Sequence, residues 1–346
     1  MISTTMPLRR SLLNSIRRAR AICAYAFIAA LSIHGEERVF PAMGVEFPTE
    51  AGKFYQLEAS SDFDQWEAVG SVFKSQGEAI EDWFPAESTD ARFYRLAEVS
   101  EQWVLVWSDE FDGDSIDRSK WLNDVNANGG GNNELQYYTD EPENSWVENG
   151  LMVIEARDED YGGLDGSRNF TSARLNTKFR GAWTYGRIEV RARLPIGQGI
   201  WPAIWMLPQD EVYGTWAASG EIDIVETIGS EPSTIHGSLH FGGQWPNNLS
   251  STASKILDTG TVQDDFHVYA IEWEAGEIRW YLDGELYRTA NSWNSSGAAF
   301  PAPFDQDFYL IVNVAVGGNW PGSPDNTTPF PARMEIDYAR VYQWAE

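Results

Sequence analysis

Short apolar segments broken by Gly, Pro, Asn and Asp recur along most of the chain, and hardly any has the 3.6-residue period of an amphipathic helix. Typical segments are residues 151–156, 269–273 and 308–314. Residues 278–288 contain an Asp-Gly pair between two such segments, a pattern that predicts a β-hairpin. The pattern as a whole predicts an all-β domain of two stacked sheets, a β-sandwich, over residues 101–346.

A smaller group of alternating segments, rich in aromatic residues and separated by polar breaks, occupies residues 45–98. Its spacing is that of a small antiparallel β-sandwich. We therefore expect a small all-β accessory module ahead of the larger domain, with residues 36–44 as a linker.

The first 35 residues differ in character from the rest of the chain. They contain five arginines and no acidic residue, and the arginines precede an apolar stretch over residues 21–33. This order is typical of an export signal, and the apolar stretch is too short to span a bilayer as a stable helix. We expect an exported protein (extracellular, cell-surface or periplasmic) without stable membrane insertion. The alternative is a basic amphipathic helix that the mature protein retains.

Charge and cysteine content narrow the classes of function. The formal net charge is −27, which repels nucleic acid and anionic membranes, so no nucleic-acid partner is expected. The only cysteine, Cys23, lies within the predicted signal. A mature chain would then have no disulfide, no zinc–thiolate site and no cysteine nucleophile.

The stretch 220–226, Gly-Glu-Ile-Asp-Ile-Val-Glu, places three carboxylates among aliphatic residues. In a strand, Glu221 and Asp223 share one face and the two isoleucines share the other. Glu226 breaks the alternation and would point away from Glu221. A β-bulge, a feature common beside active sites, would return it to the Glu221 face. The alternative is an edge strand with an acidic face toward solvent.

Two glutamates on one strand face could approach to the ~5–5.5 Å separation of a retaining glycosidase pair. On this hypothesis Glu221 is the nucleophile and Glu226 the general acid/base. Asp223 would hydrogen-bond Glu221 and, by like-charge repulsion, help to keep Glu226 protonated.

The surroundings of the acids carry a family resemblance. The blocks Trp-Pro-Ala-Ile-Trp-Met-Leu-Pro at 201–208 and His-Gly-Ser-Leu-His at 236–240 flank them, and three further blocks occur in the same order, at 132–138, 185–191 and 336–343. Together they resemble glycoside hydrolase family 16, in its laminarinase-like branch of endo-β-1,3-glucanases, from about Trp103 to the C-terminus. The resemblance implies a concanavalin A-like jelly roll whose concave sheet forms the substrate cleft. It also implies a monomeric, secreted, retaining endo-glycosidase of laminarin-like β-1,3-glucan that needs no cofactor for catalysis.

The resemblance and the aromatic content indicate a set of substrate-binding residues. Tryptophan offers a flat apolar surface to the C–H faces of sugar rings. The expected set is Asn133, Glu134, Arg187, Trp201, Trp205, Trp216, His240, Trp245 and Trp320. The alternatives are core tryptophans, loop residues that satisfy their own backbone, and an arginine that serves as a structural counter-ion. His236 and His240 could suggest zinc, but such pairs usually lie on a helix, and this context favours a strand.

The resemblance also implies a structural calcium ion away from the cleft, held by groups at Glu110, Gly150 and Asp337. Carboxylate and carbonyl oxygens suit calcium. The alternative for Asp337 is an ordinary ion pair.

Three other functions remain open at this point. The same fold and acids could act on mixed-linkage β-1,3-1,4-glucan or on a marine galactan such as agar or carrageenan. A non-catalytic glucan-binding protein is the alternative from another class, although relatives of that kind lose the two glutamates. A structural or adhesive role would rest on the accessory module alone.

Overall fold

The computed structural model describes residues 24–33, 36–61, 66–75, 77, 79–85, 93–99 and 103–344. The chain divides into two compact units, one of Met1–Gln102 with Trp344–Glu346 and the other of Trp103–Gln343. No helix within the described residues is long and apolar enough to cross a membrane.

In the described residues of the smaller unit, the secondary structure is β-strand, the class predicted for this module. Its six strands are β1 (Ala24–Ile33), β2 (Glu36–Phe47), β3 (Phe54–Ser60), β4 (Glu67–Lys74), β5 (Ile80–Pro85) and β6 (Phe93–Val99). They form two three-stranded sheets, in the orders β1-β2-β5 and β4-β3-β6. Phe47 and Leu57 are buried together, with Tyr94 and Leu96 packed against them.

Two sequence predictions fall on this unit. Most of the predicted export signal, residues 1–23 and 34–35, lies outside the described residues, and its residues 24–33 form β1. Export therefore stays a prediction. Residues 36–44, expected to be a linker, lie instead within β2, which pairs with β1 and β5. The β-branched and aromatic residues Val39 and Phe40 favour a strand there.

The larger unit contains two sheets and one short 3-10 helix, Gly129–Gly131. The ten-stranded sheet comprises β7 (Trp103–Asp109), β9 (Gln136–Tyr138), β10 (Ser145–Glu148), β11 (Leu151–Gly163), β12 (Gly166–Ser172), β15 (Gly186–Arg193), β20 (His267–Glu274), β21 (Glu277–Leu282), β22 (Glu285–Ala290) and β24 (Ala332–Trp344). Its main path runs β22-β21-β20-β15-β24-β11-β12-β9, with β10 paired to β11 and β7 to β24.

The eight-stranded sheet comprises β8 (Leu122–Asn123), β13 (Arg174–Asn176), β14 (Ala182–Trp183), β16 (Ile200–Pro208), β17 (Glu221–Glu226), β18 (Thr234–Gly242), β19 (Asn248–Ile256) and β23 (Phe308–Val316). Its order is β19-β18-β17-β16-β23-β13-β8, with β14 paired to β23. The acidic strand β17 is thus an interior strand with a partner on each side.

The two sheets share one hydrophobic core. Alternate residues such as Ile188 and Trp280 of the ten-stranded sheet and Ile222 and Leu310 of the eight-stranded sheet belong to the same buried cluster. Apolar surface buried between the sheets is the main favourable term for such a fold. The predicted all-β sandwich over the larger domain is confirmed.

The hairpin predicted at 278–288 is also confirmed. Strands β21 and β22 pair antiparallel, and the turn residues Asp283 and Gly284 have φ of 50° and 82°. Two successive positive φ values are the signature of the tight turn that Asp-Gly favours.

Candidate active site

The predicted bulge lies at the centre of β17. On one side Asp223 pairs with Trp205 and Val225 with Ile204, which leaves Ile224 as the extra residue. On the other side Asp223 pairs with Ser238 and Glu226 with His236, so three steps along β17 match two along β18. The register confirms the bulge that the broken alternation predicted.

The bulge brings all three acids to one cleft. Glu221, Asp223 and Glu226 line a cleft of about 980 Å³ on the eight-stranded sheet. The intervening aliphatic residues, Ile224 and Val225 included, are buried in the core. An acidic edge strand is therefore excluded, because β17 is an interior strand and its carboxylates line the cleft.

Glu221 has two polar neighbours. Trp216 Nε1 donates to Glu221 Oε2 at 2.7 Å, and His240 Nε2 lies 3.7 Å from Glu221 Oε1. Burial and the nearby Asp223 raise the pKa of Glu221 to about 8, whereas His240 and the Trp216 N–H act in the opposite direction. Trp216 and His240 therefore stabilise the ionised form of Glu221, but they offset only part of the effect of burial and Asp223.

Asp223 pairs with His240. It is 1% exposed, and its Oδ2 lies 3.4 Å from His240 Nε2. Burial lowers the pKa of His240, but Asp223, Glu221 and Glu226 outweigh it and raise that pKa to about 9. The structure gives no hydrogen bond between Asp223 and Glu221, contrary to the sequence prediction. In the ladder His240 lies across from Glu221, and His236 lies across from Glu226.

Glu226 differs from Glu221 in its neighbours. Trp201 Nε1 donates to Glu226 Oε1 at 3.1 Å. Burial, followed by repulsion from Asp223 and Glu221, raises the pKa of Glu226 well above its usual value, and His240 and Trp201 only partly offset this rise. The raised pKa favours the protonated form of Glu226, which is the form that a general acid needs.

Five tryptophans line the cleft, all of them predicted: Trp201, Trp205, Trp216, Trp245 and Trp320. Four form two pairs. Trp216 and Trp245 have ring centroids 6.4 Å apart, and Trp201 and Trp320 have centroids 5.4 Å apart with nearly perpendicular rings. Each pair contains the tryptophan that hydrogen-bonds one of the two glutamates, so aromatic surface lies beside both acids.

Trp205 has a different setting. Its Nε1 donates to Asn313 Oδ1 at 2.7 Å, and the Arg174 guanidinium lies over its ring at 4.6 Å. Trp205 is thus held in place by contacts within the protein and presents the rest of its surface to the cleft.

Of the two residues predicted at positions 133 and 134, after the Gly/Asn-rich segment 128–132, Glu134 lines the cleft and Asn133 does not. Glu134 lines the cleft and accepts hydrogen bonds from Gln136 Nε2 at 2.6 Å and from the Tyr138 hydroxyl at 3.3 Å. Asn133 is exposed and donates to Asn319 Oδ1 at 2.9 Å. Asn133 thus acts through Asn319, which itself lines the cleft.

The prediction that Arg187 reaches the cleft is wrong. Arg187 lies on β15 in the ten-stranded sheet, where it donates to Glu189 Oε2 and Glu272 Oε1, each at 3.0 Å. It is the structural counter-ion that the sequence left as the alternative. Alternation identifies which residues of a strand share a face, but it does not identify the sheet that the strand joins.

The predicted calcium residues lie away from the cleft, and arginines hold their carboxylates. Both Glu110 oxygens accept from Arg340, and Asp337 Oδ2 accepts from Arg191 at 2.6 Å. Gly150 has a φ of 77° in the turn before β11. The Glu110 carboxylate thus has an arginine partner in this structure. Oδ1 of Asp337 and main-chain carbonyls are the kind of oxygen that calcium takes, and calcium stays a prediction.

Within the described residues, the one group of three or more metal-ligating side chains is Glu221, Asp223 and His240, whose ligand atoms lie within 4.8 Å of one another. These are the residues already assigned to acid–base roles. His236, the other half of the considered zinc pair, instead has Nδ1 2.9 Å from Ser254 Oγ.

Sequence reasoning missed several polar residues of the cleft: Asn128, Asn132, Tyr138, Arg174, Ser238, Thr252, Asn313 and Asn319. Asn313 had a signal, because it is the one polar residue in the otherwise apolar β23. Its Nδ2 also donates to the Tyr138 hydroxyl at 3.1 Å, so it links β23 of the eight-stranded sheet to β9 of the ten-stranded sheet.

Comparison with known proteins agrees with this geometry. The family model for Glycosyl hydrolases family 16 matches residues 130–340. A beta-glucanase of Rhodothermus marinus is 48% identical over 252 residues, 70% of this chain and 86% of that protein. Glucan endo-1,3-beta-glucosidase A1 of Niallia circulans is 45% identical over 256 residues, 69% of this chain but only 38% of that protein. The X-ray structure of the laminarinase from Rhodothermus marinus superposes with a TM-score of 0.64 at 47% identity, covering 71% of this chain and 99% of that one.

The matched region contains β17, both of its neighbouring strands and the acids at its ends. It therefore includes the three acids, His240 and the five tryptophans of the cleft. On this evidence the chain belongs to glycoside hydrolase family 16 and is a glycoside hydrolase.

Proposed function

We propose that this protein is an exported, retaining endo-β-1,3-glucanase that hydrolyses laminarin-like glucan by double displacement. The observation that carries the proposal is the bulge, which places Glu221 and Glu226 on one cleft face while each receives the indole N–H of a different tryptophan. The names of the similar proteins support the β-1,3-glucan assignment.

The first step uses the two glutamates in different protonation states. Glu221 attacks the anomeric carbon, and the bond from that carbon to the leaving oxygen breaks as Glu226 transfers its proton to that oxygen. Glu221 is the better nucleophile because His240 and the Trp216 N–H stabilise its carboxylate. Glu226 is the better acid because burial, and then repulsion from Asp223 and Glu221, oppose its ionisation.

The second step reverses the roles. Glu226, now ionised, takes a proton from water, and the resulting hydroxide attacks the anomeric carbon of the glycosyl-enzyme. The bond to Glu221 breaks and the free carboxylate is regenerated. The imidazolium of His240 then again lies beside the carboxylates of Glu221 and Asp223.

The aromatic pairs support cleavage within a chain rather than at its end. Trp216 and Trp245 lie on the Glu221 side of the acids, whereas Trp201 and Trp320 lie on the Glu226 side. Sugar rings could therefore be held on both sides of the cleaved bond. Such binding suits an open polysaccharide cleft.

The experiment that tests the proposal is incubation of the purified protein with laminarin, mixed-linkage glucan, agarose and carrageenan, following reducing ends and product lengths. We expect rapid release of mixed oligosaccharides from laminarin and none from Glu221→Gln. Activity on a galactan would discard the glucan assignment. Tight binding without cleavage would favour a glucan-recognition protein.

Export is part of the proposal and rests on the arginine-rich, acid-free start of the chain followed by apolar residues 21–33. N-terminal sequencing of protein recovered from the medium or periplasm tests it. A start near residue 36 supports removal of a signal, and recovery of the intact chain from the cytoplasm contradicts it.

A further inference from the structure

Two side chains of the ten-stranded sheet reach the main chain at the bulge. Trp280 Nε1 donates to the carbonyl oxygen of Asp223 at 2.8 Å, and the Arg288 guanidinium donates to the carbonyl oxygen of Gly237. Gly237 lies between the partners of Asp223 and Glu226, directly across from the extra residue of β17. A bulge disrupts the local ladder, and these two side chains supply hydrogen-bond donors at that place.

Arg288 is buried without an acidic partner. It is 7% exposed, and no carboxylate of the described residues lies within ion-pair distance of it. Its other partners are the carbonyl and hydroxyl oxygens of Ser251 on β19, at 2.7 and 2.9 Å. Burying an arginine away from a counter-ion is costly, so the main-chain contact at Gly237 calls for a functional reason.

Trp280 and Arg288 form one unit. The guanidinium lies over the indole ring at 4.2 Å. A register shift between β21 and β22 at Trp280 and Tyr281 brings Arg288 directly across from Trp280. A second irregularity, in the ten-stranded sheet, thus aims both donors at the bulge in the eight-stranded sheet.

Gly237 is required by this contact. A Cβ at that position would lie 2.6 Å from Trp280 Cδ1 and 2.7 Å from the Tyr287 hydroxyl. The absence of a side chain therefore allows the indole to approach the strand. The Gly of the His-Gly-Ser-Leu-His block has a packing role beneath the acids.

We propose that Trp280 and Arg288 are positioning residues that hold the bulge and thereby set Glu226 relative to Glu221. Neither side chain lines the cleft, so each acts through the main chain at Asp223 and Gly237. The inference rests on the proposed roles of the two glutamates. A small misplacement of an acid/base can cost about 100-fold in rate without a change in substrate binding.

The test compares two substrates in Trp280→Phe, Arg288→Met and Arg288→Lys. One substrate is laminarin, whose leaving oxygen needs the proton of Glu226. The other is a dinitrophenyl β-glycoside of a β-1,3-linked glucose disaccharide, whose dinitrophenolate leaving group departs without that proton. We expect kcat on laminarin to fall by about 100-fold in Arg288→Met with KM within about twofold. Because Glu226 also acts in the second step, the two substrates are compared by kcat/KM, which reports only the steps up to formation of the glycosyl-enzyme. The fall in kcat/KM on the activated substrate should be at least tenfold smaller than on laminarin, and Arg288→Lys should recover part of the loss.

Two matched variants separate the outcomes. Arg279→Met removes an arginine of the neighbouring position on β21 that binds Glu274 and Glu277 on the other face, so it should leave both rates unchanged. Glu226→Ala lacks the acid/base itself, so it shows how much the rates on laminarin and on the activated substrate differ when that group is missing. If Glu226→Ala loses as much on the activated substrate as on laminarin, the proposed function fails rather than the positioning role.

A merely structural role would give a different result. Equal losses on both substrates in the folded Arg288 and Trp280 variants would overturn the proposal. If Arg288→Met does not fold, Trp280→Phe decides alone, because it retains an aromatic side chain while removing the indole donor and part of the ring volume. Unchanged kcat on laminarin in folded Trp280→Phe would overturn the role of the Asp223 contact.

Discussion

The indole N–H of Trp216 donates to Oε2 of Glu221 across 2.7 Å. This contact lowers the pKa of a carboxyl that burial and Asp223 raise. Loss of the donor should therefore raise the pKa of Glu221 and require a higher pH for its ionisation. Trp201 makes the equivalent contact with Glu226 and likewise lowers its pKa.

The two contacts should affect opposite limbs of the profile of kcat/KM against pH. In Trp216→Phe the acidic limb of kcat/KM should move to higher pH, because that limb reports ionisation of Glu221. In Trp201→Phe the alkaline limb should move to higher pH, because Glu226 then keeps its proton longer. Profiles on laminarin from pH 4 to pH 10 measure both, and an acidic-limb shift in Trp201→Phe alone would reverse the assigned roles.

His240 should affect the same limb as Trp216. Its pKa is raised to about 9, so it is cationic at neutral pH and lowers the pKa of Glu221. His240→Gln should move the acidic limb of kcat/KM upward by about one pH unit, since loss of a nearby cation raises a carboxyl pKa. The loss of activity should be larger at pH 6 than at pH 8. An equal loss at both pH values would contradict the electrostatic role.

Glu226 should destabilise the fold as pH rises. Its folded pKa lies well above the usual 4.5, so below pH 4.5 both folded and unfolded chains hold the proton and this group has no effect on stability. Above pH 4.5 the unfolded chain releases its proton first, which costs up to about 1.4 kcal/mol of stability per pH unit until the folded pKa is reached.

Glutamine does not ionise, so Glu226→Gln does not lose stability in this way as pH rises. The Tm of the variant relative to wild type should increase between pH 4.5 and pH 7, by about 2–4 °C per kcal/mol. Calorimetry at several pH values measures the difference. Glu148→Gln, at an exposed position, serves as the control and should show no such trend. A constant Tm difference across pH would contradict the raised pKa.

The predicted calcium site gives different expectations for substitution of Asp337 and of Glu110. If calcium binds at Asp337, calcium should raise Tm relative to EDTA, and Asp337→Asn should abolish the rise. Glu110→Gln should retain it, because Arg340 already holds both oxygens of Glu110. An identical Tm with calcium and with EDTA would leave Arg191 as the partner of Asp337 and discard the site.

The arrangement of the acids on β17 could be predicted because it depends on the pattern within seven consecutive residues. Alternation over 220–226 fails at one position, and a bulge is the ordinary way for a strand to restore it. The tryptophans could be located because their blocks flank that strand. The sandwich followed from repeated short apolar segments with turn residues between them.

What could not be predicted depends on contacts between distant segments. Arg187 was misplaced because its strand joins the ten-stranded sheet, a pairing with β20 and β24 that no local pattern contains. Arg174 and Asn313 meet Trp205 only when β13, β23 and β16 lie side by side. Trp280 and Arg288 reach the bulge across the core from the other sheet.

The central claim is that Glu221 forms a covalent bond with the sugar. The most direct test is incubation with a 2-fluoro laminaribiosyl fluoride, a substrate that slows release of the glycosyl-enzyme, followed by mass spectrometry of the intact protein and its peptides. We predict one added glycosyl group on the peptide that contains Glu221, and no addition in Glu221→Gln. A label on another residue, or turnover of the reagent with no adduct, would contradict the account.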